Sequence, residues 1–189
     1  MQKLVPIAMS NRHIHLSQED LEMLFGTSYE LTHFKDLSQP GQFACEEKVD
    51  IIGSKGALKG VRILGPVRNK TQIEISVSDG FVLGVKAPIR DSGHLDDSPG
   101  VKIVGPNGEV ILKNGVVVAA RHIHMNFEEA SKYSLKDKEI VSVLVKGKRG
   151  LVFNNVLVRT NENYSLEMHV DVEEGNAAGV KNGQLVEIV

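Results

Sequence analysis

The sequence predicts a mainly β protein, a barrel or sandwich of short antiparallel strands carrying a few short helices. Three observations carry that expectation. Val- and Ile-rich runs recur along the 189 residues: "GVRILG", "TQIEISVSDGFVLGV", "VKIVGPNGEVIL", "GVVVAA", "EIVSVLVKGKRGLVF", "VLVRT", "LEMHVDV" and "QLVEIV". Gly, Asn and Asp bound them, and Asp79-Gly80 and Asn107-Gly108 fall between apolar runs, where their backbone freedom suits tight hairpin turns. Tryptophan is absent and helical stretches are few, which suits barrels or sandwiches better than an α/β sheet.

In chain order, the first helix is predicted at "SQEDLEMLFG". Ser17 is its N-cap with Asp20 three residues on, Leu21, Leu24 and Phe25 share one face, and Gly26 stops it. "KAPIRDSGHLDDSPG", residues 86–100, reads as a long crossover loop rich in Pro, Gly, Asp and Ser. "NFEEASKY" repeats the helix scheme with Asn126 and Glu129. The C-terminal "NAAGVKNGQLVEIV" reads as a helical turn, a Lys-Asn-Gly turn and a closing strand.

Bulk properties narrow the function classes. With 41% hydrophobic and 24% charged residues, the chain can bury a core without staples. A formal net charge of -2 argues against nucleic acid as a partner. Cys45 is the single cysteine, so an intrachain disulfide is excluded and a reducing cytoplasmic setting is expected. The start, "MQKLVPIAMSNRHIHL", meets a proline and polar residues before a signal-peptide core forms, and no apolar run approaches membrane-spanning length.

The most specific feature is a duplication. "NRHIHLSQED" and "ARHIHMNFEE" match at a constant offset of 109, aligning His13, His15, Ser17 and Asp20 with His122, His124, Asn126 and Glu129. In extended backbone each His-x-His places both imidazoles on one side, so each pair can chelate one ion. A single such pair is more often two ordinary histidines; two copies, each preceded by arginine and followed by a helix start, favour metal.

Further ligands are sought on strands. Alternation in "TQIEISV" puts Glu74 on the polar face, and alternation in "LEMHVDV" does the same for His169, although neither is selected over an ordinary solvated residue by pattern alone. His33 and His94 lie in polar, loop-like segments and are read as surface residues. Cys45 is a conceivable zinc thiolate without a partner. Arg12 and Arg121, adjacent to the histidines, should point to the opposite face, whereas Arg68 precedes the strand carrying Glu74 and is better placed for an anion. No Walker loop, dinucleotide fingerprint or nucleophile elbow is present, so side chains and metal would hold that anion.

Taken together, "VPIAMSNRHIHLSQEDLEMLFG", "GPVRNKTQIEIS", "APIRDSGHLDDSPG", "ARHIHM" and "MHVDVEEGNAAGVKNGQLVEI" closely resemble the PduL-type phosphate acyltransferases, or phosphate propanoyltransferases, over nearly the whole chain. The resemblance implies an enzyme that interconverts a short-chain acyl-CoA, propionyl-CoA or acetyl-CoA, plus phosphate with acyl phosphate plus CoA. It implies two Zn2+ per chain, one on His13, His15 and Glu74 and the other on His122, His124 and His169, with Arg68 at the phosphate. CoA is then substrate or product, and neither nucleic acid nor membrane is a partner.

The implied fold is two small antiparallel β-barrels with short capping helices and an interleaved path. Residues 1–11 with 120–189 form one barrel and 12–25 with 47–92 the other, 26–46 form a small sheet covering the site, and 93–119 connect. Family members that enter bacterial microcompartments carry an N-terminal amphipathic extension. Here the first motif begins close to Met1, so shell association by that route is not expected and a free cytoplasmic role is as well supported. The acyl chain and oligomeric state, homo-oligomers included, are left open by the sequence. Two other readings remain: a dinuclear zinc hydrolase of a thioester or phosphate ester, and a non-catalytic metal-stabilised β-barrel module.

Overall fold

A computed structural model describes residues 2–189. The first strands are β1 (Lys3–Ser10), β2 (His13–His15), β3 (His33–Asp36), β4 (Phe43–Ile52), β5 (Ala57–Gly65), β6 (Gln72–Glu74), β7 (Ile89–Arg90) and β8 (Lys102–Val104). They continue as β9 (Glu109–Ile111), β10 (Val116–Ala119), β11 (His122–Met125), β12 (Ile140–Val145), β13 (Leu151–Thr160), β14 (Glu167–Asp171) and β15 (Gln184–Ile188). Four helices are interspersed: α1 (Gln18–Phe25), α2 (Val77–Leu83), α3 (Phe127–Tyr133) and α4 (Val172–Ala178). The mainly β class with short helices is as the sequence predicts. Among the described residues, no helix is long and apolar enough to cross a membrane.

The chain divides into two compact units. The first comprises the chain up to Asn11, Ser38–Pro40 and Ala120–Val189; the second comprises Arg12–Leu37 and Gly41–Ala119. In the first unit six strands close into a barrel in the order β1-β14-β11-β13-β12-β15. Its interior is apolar, with Val5, Ile7, Ile123, Val143, Val158 and Met168 buried together. Alternation along each strand sends these side chains inward, and each such burial is worth roughly 1.5–3 kcal/mol.

The second unit is a nine-stranded sheet, ordered β7-β10-β6-β2-β5-β4-β8-β9 with β3 on β4, which curls into a half-barrel. Ile14, Leu16, Ile51, Ile63, Ile73 and Ile103, none measurably exposed, fill its concave side. Helix α1 packs Leu21, Leu24 and Phe25 into the same core, capped by Ser17, whose side chain accepts from Asp20 N at 3.1 Å. The Asp20 carboxylate itself is taken by Thr71 Oγ1.

The path is interleaved through an exchange of strands. β1 belongs to the first unit, yet the next strand, β2, belongs to the second; β10 belongs to the second and is followed by β11 in the first. Each exchanged strand runs parallel to an equivalent neighbour: Ala8 pairs with His169 and Val117 with Glu74. Pairing is therefore mixed in both units, a departure from purely antiparallel barrels, since β11 with β13 and β2 with β5 are also parallel.

Three local expectations are corrected. Asp79-Gly80 is no hairpin turn; it lies inside α2, where Ser76 and Asp79 form a reciprocal capping box and Gly84, at φ 74°, ends the helix in the left-handed region that glycine enters without strain. The cap outcompeted the turn. "GLVF" and "VLVRT" are one strand, β13, kept continuous across Asn155 at φ 57°. β4 escaped notice because Glu47 occupies an inward position among Cys45, Val49 and Ile51, which hides the alternation. Its buried carboxylate accepts from Tyr29 Oη at 3.0 Å and Thr32 N at 2.9 Å. Asn107-Gly108 does lie in a hairpin, between β8 and β9.

Candidate functional site

In the second unit, β2 and β6 run antiparallel with His13 opposite Glu74 and His15 opposite Gln72. Side chains two apart on a strand share a face, so this register gathers four polar groups at adjacent corners of one patch. His13 Nε2 lies 3.5 Å from Glu74 Oε2, and the His13 and His15 rings meet edge-on at 5.0 Å. His15 Nδ1 is 3.2 Å from the Leu64 carbonyl. The ring is buried, and desolvation, then the adjacent His13, then the Arg68 guanidinium, lower its pKa from 6.5 to about 2.

The first unit repeats the arrangement. β11 and β14 run antiparallel with His122 opposite His169 and His124 opposite Glu167. His122 Nε2 and His124 Nε2 are 3.0 Å apart, and the His169 ring lies 5.3 Å from that of His122 and 4.9 Å from that of His124. Burial, then His122, then His169, lower the pKa of His124 to about 2. Each group of three, His13, His15 and Glu74 or His122, His124 and His169, has its donor atoms within 4.8 Å of one another, close enough to hold one ion.

The donors suit zinc. Imidazoles this hard to protonate are neutral near pH 7 and need lose no proton to bind a metal. His124 Nδ1 is buried without a hydrogen-bond partner, and its other nitrogen lies 3.0 Å from the Nε2 of a second imidazole. Nitrogen with a single carboxylate, or nitrogen alone, is a borderline-soft set that favours zinc over magnesium or calcium.

Arg68 lies beside the first of these groups. Its backbone N donates to Leu16 O at 2.8 Å, directly after the histidine strand, and its Nη1 donates to Ser92 Oγ at 3.1 Å. Gln72 Nε2 donates to Ser92 Oγ at 2.9 Å and to Glu74 Oε1 at 2.6 Å, and Gly93 N donates to Gln72 Oε1 at 2.8 Å. Ser92 and Gln72 thus link the arginine to the carboxylate. Sequence reasoning missed both; Ser92 lay in a loop valued only as a crossover, and the alternation that put Glu74 on the polar face had already put Gln72 there.

Arg12 and Arg121, which precede the two histidine strands, are each held in an ion pair. Arg12 Nη2 pairs with Asp79 Oδ1 at 3.0 Å, and Arg121 Nη1 pairs with Glu174 Oε1 at 3.1 Å. Both acids are the third residue of a helix capping box, in α2 and α4. The duplication therefore extends beyond the histidines: "QIEISVSDGFVLGV" aligns with "EMHVDVEEGNAAGV", matching Glu74 to His169, Ser76 to Asp171, Asp79 to Glu174 and Gly84 to Gly179. That alignment is legible in the sequence and puts Glu74 and His169 at equivalent positions.

The remaining candidates lie outside both groups. His33 is exposed and held by Asp36 at 2.7 Å, and His94 sits in an exposed turn. Cys45 is buried, its thiol pushed up to about 11 by desolvation and then by Glu47, which disfavours the thiolate a metal would need.

Comparison with known proteins agrees with this architecture. The family model described as phosphate propanoyltransferase matches residues 6–181. The chain belongs to the phosphate propanoyltransferase family. It is an acyltransferase enzyme. A Thermotoga maritima protein named phosphate propanoyltransferase is 55% identical over 97% of this chain and 88% of its own length. Proteins of the same name from Clostridioides difficile and Rhodobacter capsulatus are 49% and 51% identical, each over 98% of this chain and over 88% and 86% of their own lengths.

Proposed function

We propose that this acyltransferase interconverts a short-chain acyl-CoA, propionyl-CoA or acetyl-CoA, and phosphate with the acyl phosphate and CoA, using two Zn2+ per chain. One zinc would sit on His13, His15 and Glu74, the other on His122, His124 and His169. The supporting observation is the pair of buried donor groups on a common frame within a member of this family.

In the forward direction a phosphate oxygen attacks the thioester carbonyl carbon, the new C–O bond forms as the C–S bond breaks, and CoA leaves as thiolate. Zinc, when bound, supplies Lewis acidity that stabilises the departing thiolate. Arg68 binds and orients phosphate through its guanidinium, held by Ser92, and no side-chain nucleophile is required. Gln72 and Ser92 keep the Glu74 carboxylate turned to its partners by donating to Oε1, Ser92 at 3.4 Å. The single cysteine, buried and protonated, supports the cytoplasm as the proposed setting.

The test is CoA release from acetyl-CoA and propionyl-CoA, with and without phosphate, before and after chelation. Acyl phosphate should accumulate only with phosphate and only in metal-loaded enzyme; release of free acid without phosphate dependence would replace the transferase with a hydrolase. Arg68→Ala should raise KM for phosphate roughly 10- to 100-fold, the worth of one charge-assisted contact, with a smaller change in KM for acyl-CoA. An unchanged phosphate KM would remove Arg68 from its role.

A further inference from the structure

The two donor groups have different surroundings. The first has polar neighbours in Arg68, Ser92 and Gln72, and its imidazoles make ring contacts, among the described residues, only with each other. The second has an aromatic neighbour. The Tyr164 ring, half-buried, stands edge-on to His124 with 4.4 Å between centroids and 81° between planes. Strand register puts polar residues on either side of that histidine, Glu167 on β14 and Arg159 on β13, so the Tyr164 ring is the apolar part of its surroundings.

Tyr164 lies in the loop between β13 and β14, and hydrogen bonds hold that loop at three points. Asn161 N donates to Met125 O, at the end of the histidine strand, at 3.2 Å, and Tyr164 N closes a turn onto Asn161 O at 3.1 Å. The side-chain amide of Gln39, a residue only 3% exposed, donates to Ser165 O at 2.9 Å and accepts from Ser165 N at 3.3 Å. Gln39 thus satisfies both backbone groups of Ser165, as a neighbouring strand would. The ring is carried on a fixed support.

We infer that Tyr164 is a specificity-determining residue for the acyl group: its ring is the wall against which the acyl chain packs, and it sets the length of chain accepted. The inference rests on the acyl-transfer reading above. In that reaction the acyl carbon is bonded to the sulfur that leaves as thiolate at the metal, so the chain begins beside the donor groups. Phosphate is served by the Arg68 guanidinium; an alkyl chain gains only by leaving water for an apolar surface, and the ring against His124 offers one. A rigid apolar wall can discriminate one methylene by about 10- to 200-fold in kcat/KM. Gln39 supplies the rigidity.

The experiment measures kcat/KM for acetyl-CoA, propionyl-CoA and butyryl-CoA, by phosphate-dependent CoA release, in zinc-loaded full-length wild type, Tyr164→Phe, Tyr164→Ala and Gln39→Ala. The readout is the ratio between substrates on one sample, which the fraction of enzyme folded or metal-loaded does not move. Wild type should disfavour butyryl-CoA against propionyl-CoA by roughly 10- to 200-fold. Tyr164→Ala should relax that ratio about 10-fold or more, Tyr164→Phe should hold it within about 2-fold, and Gln39→Ala, which keeps the ring and loosens its support, should fall between. A wild type that does not discriminate, or a Tyr164→Ala ratio within about 2-fold of wild type, overturns the inference and leaves the acyltransferase reading standing. An equal change in Tyr164→Phe also overturns it, because selection would then lie with the hydroxyl. A wild type that forms no acyl phosphate from any of the three substrates overturns the proposed function itself.

Discussion

The closed barrel and the curled sheet carry the same frame and different chemistry. In each, a two-histidine strand lies antiparallel to the strand bearing the third donor, and the arginine before the histidines is tied to the capping acid of the helix that follows that third-donor strand. The donors differ: Glu74 beside an amide in one, His169 beside a carboxylate in the other. The frame depends on backbone register, cap and ion pair, none of which involves the third donor's side chain. The frame thus sets no condition on the third donor's identity, and the two candidate donor groups differ in charge by one carboxylate.

Three experiments sharpen or break that comparison. The largest effect is expected from His15→Ala and His124→Ala, each of which should lower zinc from roughly two ions per chain to roughly one and abolish acyl phosphate formation. Full activity after losing one ion would mean that a single group suffices and that the other is only structural. Next are Ile14→Ala and Ile123→Ala, which truncate equivalent, fully buried residues lying between the two histidines of each pair. Each should cost about 2–5 kcal/mol in urea unfolding; a large disparity would show that barrel closure, absent from the sheet, changes how well the site can relax around a cavity.

The smallest effect is the pH dependence. In metal-free protein His15 and His124 have pKa values near 2, against 6.5 when unfolded, so below 6.5 the unfolded chain binds the more protons. Stability is then fully present above pH 6.5 and falls as pH drops through the window from 6.5 toward 2, by up to about 1.4 kcal/mol per pH unit for each residue. Thermal unfolding followed from pH 7 to pH 4 should show this slope, and replacing either histidine by alanine should remove that residue's share. Equal flattening by the two substitutions would support equivalent burial, and a slope unaffected by one of them would place that imidazole in solvent.

Much of the fold was legible because burial on one face writes itself as alternation: β14 and β15 follow their patterns, and α1 and α3 begin at the residues their caps require. β4 was not, because an inward Glu47 is tolerable only with hydrogen bonds from Tyr29 and Thr32, partners supplied by a distant stretch of chain. Asp79-Gly80 misled for a related reason. A turn signal and a capping box were both present, and the salt bridge from Arg12 favours the conformation in which the capping acid is held.

By itself, the sequence determined the class of fold, the two histidine pairs and the helix starts that follow them, since strand alternation and helix caps are local consequences of residue order. Tertiary structure decided what stands opposite the histidines. The register that sets Glu74 across from His13 and His169 across from His122 joins residues separated by long stretches of chain. No local pattern specifies such pairings, because they follow from how the exchanged strands β1 and β10 bury their apolar faces in two separate cores.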